Sequence, residues 1–152
     1  MSKVVQQILD REKARWAARQ RASLESGSGE PVLCPPRPKY EIAERTQATL
    51  HGGAPVCMRL AVDLDLPQRL DECLSLLKIH RPYRESDHVL AIALNTLCGG
   101  RTLDDMEHRR TDMPLMDALG VQMLPDPTTA GDFCRRFDEV SLMSLMGAIN
   151  ET

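Results

Sequence analysis

The feature that most constrains this chain is the punctuation of residues 86–137, where short apolar-periodic segments follow one another with start and stop signals at nearly every junction. The first opens at Ser86, sets Val89, Leu90, Ala93, Leu94 and Leu97 on one face and stops at Gly99-Gly100. Start, period and stop agree on a helix. Thr102 with Asp105 opens a short helix from Leu103 to about Arg110, and Thr111-Asp112 with Pro114 opens another that Gly120 closes. Pro125 and Pro127 then hold an extended connection. The last segment, over 128–137, has a threonine cap and an apolar face of Ala130, Phe133, Cys134 and Phe137, with Arg135 and Arg136 pointing elsewhere.

The same pattern continues outside that run. Pro55 sits where a first helical residue would, followed by Cys57, Met58, Leu60 and Ala61. Asp65-Leu66-Pro67-Gln68 reads as a cap with proline in the first turn of a helix that buries Leu70, Cys73, Leu74 and Leu77 and ends before Arg81-Pro82. From Val140 a final helix carries Leu142, Met143, Leu145, Met146 and Ile149. Only 3% of the residues are aromatic, so a core must be built from leucine, alanine, valine and methionine, which suit helices better than strands. The expected fold is mainly α: a compact bundle of short helices with helix-turn-helix-like elements. A small β-hairpin is expected near 40–53, where the helical signal is weak and His51-Gly52-Gly53 offers a turn.

Three regions follow from composition. Residues 1–25 read as a basic amino-terminal helical arm, detached from the body, with Val4, Val5, Ile8 and Leu9 at its start and Trp16 further on. Residues 26–39 read as a Ser/Gly/Pro linker, and residues 40–152 as one helical domain. The net charge of -3 hides an asymmetry: residues 1–25 hold six basic against three acidic groups, and residues 86–137 five against eight. A basic end on an acidic body is compatible with a nucleic-acid-binding arm and equally describes a solvated surface helix. Five cysteines at wide, irregular spacings form no disulfide or zinc pattern; Cys73, Cys98 and Cys134 lie on or beside apolar faces and read as small buried hydrophobes in a reducing cytosol. Charges interrupt every apolar run well short of spanning length, so a soluble, cytoplasmic protein with no membrane partner is expected.

Catalytic signatures are missing from the sequence: it has no phosphate-binding glycine loop, no zinc-protease histidine pair and no nucleophile elbow. Asp87-His88 reads as a capping carboxylate beside a surface histidine, and Asp104-Asp105 as first-turn carboxylates, so no catalytic or metal-binding residue and no small-molecule substrate is assigned. The arginines offer more. Arg135 and Arg136 can pair bidentately with phosphate or with guanine edges, and Arg101, Arg109 and Arg110, at the ends of the preceding helix, can supply backbone contacts. Salt bridges to the neighbouring aspartates account for the same residues as well on spacing alone.

One stretch of residues resembles a known family. The run His80-Arg81-Pro82-Tyr83-Arg84-Glu85-Ser86-Asp87-His88-Val89-Leu90, then Leu97-Cys98-Gly99-Gly100 with Leu103-Asp104-Asp105, then Asp117-Ala118-Leu119-Gly120, then Pro125-Asp126-Pro127-Thr128-Thr129-Ala130-Gly131-Asp132-Phe133-Cys134-Arg135-Arg136-Phe137 is similar to the amino-terminal region of bacterial insertion-sequence transposases of the DDE class. Tyr40-Glu41-Ile42-Ala43 with Arg45-Thr46 and Gly52-Gly53 fits the same family's approach segment. The resemblance implies a ribonuclease-H-like core in which three acids hold two divalent ions, usually magnesium, for strand cleavage and transfer. In the family that core begins after the helix matching residues 140–150, so this chain reads as cut before it, is not an enzyme as it stands and needs no cofactor of its own. What carries over is a helical module that contacts double-stranded DNA at the element's terminal inverted repeats and helps pair transposase subunits. Thr128, Thr129, Arg135 and Arg136 are the first expected DNA contacts, with Arg101, Arg109 and Arg110 behind them. The alternative is a packing module that binds a catalytic core or another subunit and, as a fragment, interferes with the intact enzyme. A broad apolar face along residues 142–149 favours packing; arginines gathered on one side favour DNA.

Overall fold

A computed structural model describes residues 3–25, 30–39 and 48–151, and among these the chain is helical with no strand. The order is α1 (Lys3–Glu25), α2 (Ala54–Asp63), α3 (Leu66–Cys73), α4 (Glu85–Leu97), a single 3-10 turn (Leu103–Asp105), α5 (Met106–Thr111), α6 (Met113–Leu119), α7 (Pro127–Cys134) and α8 (Glu139–Asn150). The hairpin expected near 40–53 falls largely outside the described residues; within them, residues 48–53 are loop and turn leading into α2.

Local punctuation fixes most helix ends. At the end of α4, Gly100 N–H donates to Asn95 O (2.8 Å) and Gly99 N–H to Thr96 O (2.9 Å), with Gly99 at φ +82°: the paired closing bonds of a left-handed glycine stop. Asp105 reaches back to the N–H groups of Arg101 (2.8 Å) and Thr102 (2.9 Å), and Asp112 and Asp138 cap α6 and α8 by accepting from Leu115 N–H (3.1 Å) and Ser141 N–H (2.8 Å). Gly120, at φ +70°, closes α6. The cap of α7 differs from the expected threonine: Asp126 accepts from Thr129 N–H (2.9 Å), Pro127 starts the helix, and Thr129 Oγ1 donates to the same carboxylate (2.6 Å). Helix α3 also departs from its expected length. It stops at Cys73 because the N–H groups of Leu76 and Leu77, which would have continued it, donate to the Glu85 carboxylate at 3.2 and 3.0 Å.

Helix α4 is the hub, packed against α2, α3, α5, α7 and the 3-10 turn. Its buried stripe runs through Asp87, Leu90, Ala91, Leu94 and Asn95, while Ala93 and Leu97, expected inside, are exposed. Leu70, Leu74, Met106, Leu115, Met116, Leu119 and Ala130 complete a core of aliphatic and methionine side chains, as the scarcity of aromatics required. Of the cysteines, Cys98 is half-buried and the other four are exposed, so the buried-hydrophobe reading fails for Cys73 and Cys134. Short helices end before their flanks are covered.

Two segments read as peripheral are tied to this core. Residues 30–39, expected as linker, form an extended strap with Leu33 and Pro35 fully buried. The Asp87 carboxylate accepts from Val32 N–H (2.7 Å) and Leu33 N–H (2.8 Å), and Arg59 donates to Pro35 O (3.2 Å). Helix α1, expected to be detached, is held over its second half by side chains alone. Arg15 and Arg19 pair with Asp117, Arg19 also donates to Val121 O (3.0 Å), and Trp16 packs against the core with the Arg110 guanidinium 5.8 Å from its ring centre. Residues 3–14 are exposed throughout.

Candidate nucleic-acid interface

The seven residues singled out from the sequence divide sharply. Arg101 and Thr128 are exposed, and Arg135 carries a side chain that is 75% exposed, folded back toward Asp132 (2.6 Å) one turn earlier on α7. The 3-10 turn that follows Arg101 packs against α7. A Cβ on Gly131 would touch Leu103 of the 3-10 turn (3.7 Å) and the Arg135 guanidinium (3.8 Å) together, which locates the arginine over that junction. Arg136 diverges from its neighbour. Although exposed, it donates to Leu76 O at 3.2 Å in the α3–α4 connection.

The other three are spent on the protein itself. Arg110 donates to Leu124 O (3.0 Å) and Glu107 (2.6 Å), and only 12% of its side chain is exposed. Arg109 lies against His51 Nε2 at 2.5 Å. Thr129 is committed to Asp126. Both arginines at the end of α5 are turned onto the fold, Arg110 toward a carbonyl and a carboxylate and Arg109 toward a histidine ring. Arg135 is different in kind. Its ion pair with Asp132 is exposed and local, the sort that contributes little and can be exchanged for a phosphate oxygen without loss of structure.

Sequence reasoning missed the most heavily engineered polar cluster, at the amino-terminal end of α4. Asp71, Glu85 and Asp87 converge there, each accepting backbone N–H groups from a different segment. Asp71 takes Ser86 N–H (2.9 Å) and Arg84 (3.4 Å); Glu85 takes Leu76, Leu77 and His80 Nδ1 (3.0 Å); Asp87 takes Arg84 N–H (2.9 Å) and the strap. Burial pushes the Asp87 carboxyl up to about 6, against the pull of those hydrogen bonds. His88, expected at the surface, is only 3% exposed: its ring stacks on Phe133 (4.6 Å, 15°) and meets Tyr83 edge-on (5.7 Å), and burial lowers its pKa to about 4. The signal was legible as Arg84-Glu85-Ser86-Asp87-His88 opening a helix with an apolar continuation: a dense charge run where a solvated face had no room. With the carboxylate oxygens taken by backbone N–H groups and by the Arg84 and His80 side chains, the cluster acts as a structural clamp.

Among the described residues no group of three or more His, Cys, Asp or Glu side chains is arranged to hold a metal ion, and no helix is long and apolar enough to cross a membrane. No family model, no curated protein and no solved structure matches the chain.

Proposed function

We propose that this chain is the helical amino-terminal module of a DDE-class insertion-sequence transposase, taking part in DNA transposition by contacting double-stranded DNA at the element's ends. The supporting observation is the behaviour of the 125–137 run that carries the family resemblance. Asp126 and Pro127 start α7, Ala130 and Phe133 anchor it in the core, and Thr128 and Arg135 are left exposed, as is Arg101 ahead of the 3-10 turn that packs on this helix. In such an arrangement a rigid helix presents polar side chains to a duplex, with phosphate contacts setting orientation. The strand-cutting chemistry and its magnesium ions belong to a separate catalytic core, and the module works where DNA is, in the bacterial cytoplasm at the nucleoid.

The experiment is fluorescence anisotropy with labelled duplexes tiled across the DNA flanking the coding sequence, alongside a scrambled duplex, over a salt series. Preferential binding to one flank, weakening steeply with salt, is expected. Each phosphate contact removed by Arg101→Ala or Arg135→Ala lowers the salt slope by roughly one. Equal affinity for flanking and scrambled DNA, or no change in the double variant, overturns the reading.

A second reading, a protein-packing module, is favoured by one observation. Helix α8 packs against α3 with Ala148 buried, leaving Leu142, Met143, Met146 and Ile149 between 49% and 63% exposed.

A further inference from the structure

Residues 11–21 of α1 concentrate positive charge: Arg11, Lys13, Arg15, Arg19 and Arg21 stand against Glu12 alone, five basic groups to one acid, a net of +4. These groups divide between two sides of the helix. Arg11, Arg15 and Arg19 follow one another at four-residue spacing and form one stripe, whereas Lys13 and Arg21, each two residues from an arginine of that stripe, lie on the opposite side. Arg11, Lys13 and Arg21 are exposed. Arg15 and Arg19 are turned onto the body, where both meet the Asp117 carboxylate. Two guanidinium groups converging on one anion is the arrangement arginine also makes with a phosphate.

The seat of the arm on the body is imperfect. Asp117 is 45% exposed, so water and salt reach the pair. Trp16 Nε1 is buried with no hydrogen-bond partner among the described residues, a cost of the docked position. A gap of about 250 Å³ separates Ser23 and Leu24 of the arm from Tyr83 and Arg110 of the body. The arm is joined to the strap through Ser26-Gly27-Ser28-Gly29, so its departure unfolds no other helix.

The placement of charge selects the partner. A helix is about 10–12 Å across, and the major groove of a DNA duplex is about 12 Å wide with a row of phosphates along each edge. Basic side chains on both sides of one helix suit such a groove. An anionic membrane meets one side only, and here the arginine stripe continues the line of Val4 and Ile8, so that the apolar side could enter lipid only by carrying guanidinium groups with it.

We propose that α1 is a latch: Asp117 holds Arg15 and Arg19 in place of a phosphate, and the groove of a DNA duplex competes for them and draws the arm off the body. The arm takes its class of partner from the DNA reading above and needs none of the contacts assigned there to α7 or Arg101.

Fluorescence anisotropy with a labelled mixed-sequence duplex of about 20 base pairs over a salt series tests the latch. The wild-type chain binds. Asp117→Ala binds about three- to tenfold more tightly because the internal competitor is gone, and Arg15→Gln/Arg19→Gln binds more weakly with a salt slope lower by roughly two. The gain from Asp117→Ala disappears when it is combined with Arg15→Gln/Arg19→Gln, whereas the simple loss of a surface carboxylate would act equally in both backgrounds. Trp16 emission of the wild type, titrated with unlabelled duplex, changes with the midpoint of the anisotropy curve, and circular dichroism shows the helices retained in every variant. Unchanged affinity in Asp117→Ala, a gain that survives in the combined variant, or Trp16 emission unmoved at saturation overturns the latch while leaving the DNA reading in place. Failure of both the wild type and Asp117→Ala to bind any duplex overturns the two together, and tighter binding to phosphatidylglycerol vesicles than to duplex overturns the choice of partner.

Discussion

The Asp87 carboxylate accepts the Leu33 N–H at 2.8 Å across a separation of 54 residues. One side chain on the hub helix thus holds the extended strap in place and, through Arg84 N–H at 2.9 Å, closes its own helix start. Asp87→Ala removes the acceptor from three backbone donors in a buried site. A loss of about 3 kcal/mol or more is expected in urea unfolding, together with faster proteolysis at residues 30–39. An unchanged midpoint would mean that water replaces the carboxylate.

Asp87 and His88 pull stability in opposite directions with pH. Folding raises the Asp87 pKa from 3.8 to about 6, so between those values the folded state holds the extra proton and is favoured as pH falls. Folding lowers the His88 pKa from 6.5 to about 4, so between those values the unfolded state holds the extra proton and stability is lost as pH falls. From pH 7 to pH 5 each contributes about 1–2 kcal/mol with opposite sign, and the wild type is nearly flat. Asp87→Asn is expected to lose stability over this interval and His88→Phe to gain it, both read from urea midpoints at the two pH values.

Asp117 holds α1 through Arg15 and Arg19. Asp117→Ala leaves global stability almost untouched, since exposed ion pairs contribute little. It loosens the helix, however, and Trp16, the chain's one tryptophan, reports this directly. A red-shifted emission and faster amide exchange over residues 15–25 are expected, and unaltered spectra would assign the tether to Trp16 packing and the Arg19 bond to Val121 O instead.

Gly120 answers two demands. Its φ of +70° is costly for any side chain, and a Cβ there would lie 2.9 Å from Pro36 Cδ in the strap. Gly120→Ala is expected to destabilise by about 1–3 kcal/mol. Pairing it with Pro36→Ala separates the two causes: whatever the second substitution restores belongs to the clash, and the remainder to the backbone.

Much of the helical layout was legible because its signals are local. Gly99-Gly100, Asp112 before Pro114, Gly120 and the Thr102/Asp105 pair act on atoms within a turn of themselves, so reading them needs only neighbouring residues. Of the candidate DNA contacts, spacing placed Thr128, Thr129, Arg135 and Arg136 on or at the end of one short helix. It could not say that Arg110 would be taken by Leu124 O and Glu107 while Arg135, equally close to an acid, would stay in solvent.

By itself, then, the sequence determined a mainly helical chain with a core of leucine and methionine and helices that mostly begin and end at their caps, because propensity, period and capping are short-range. The tertiary structure decided which faces are buried. It placed Ala93 and Leu97 outside, sank His88 against Phe133, turned residues 30–39 from linker into strap and left Leu142, Met143, Met146 and Ile149 of α8 exposed. Each of those outcomes depends on a partner distant in sequence, and a carboxylate or an apolar stripe looks the same on paper whether that partner arrives or not.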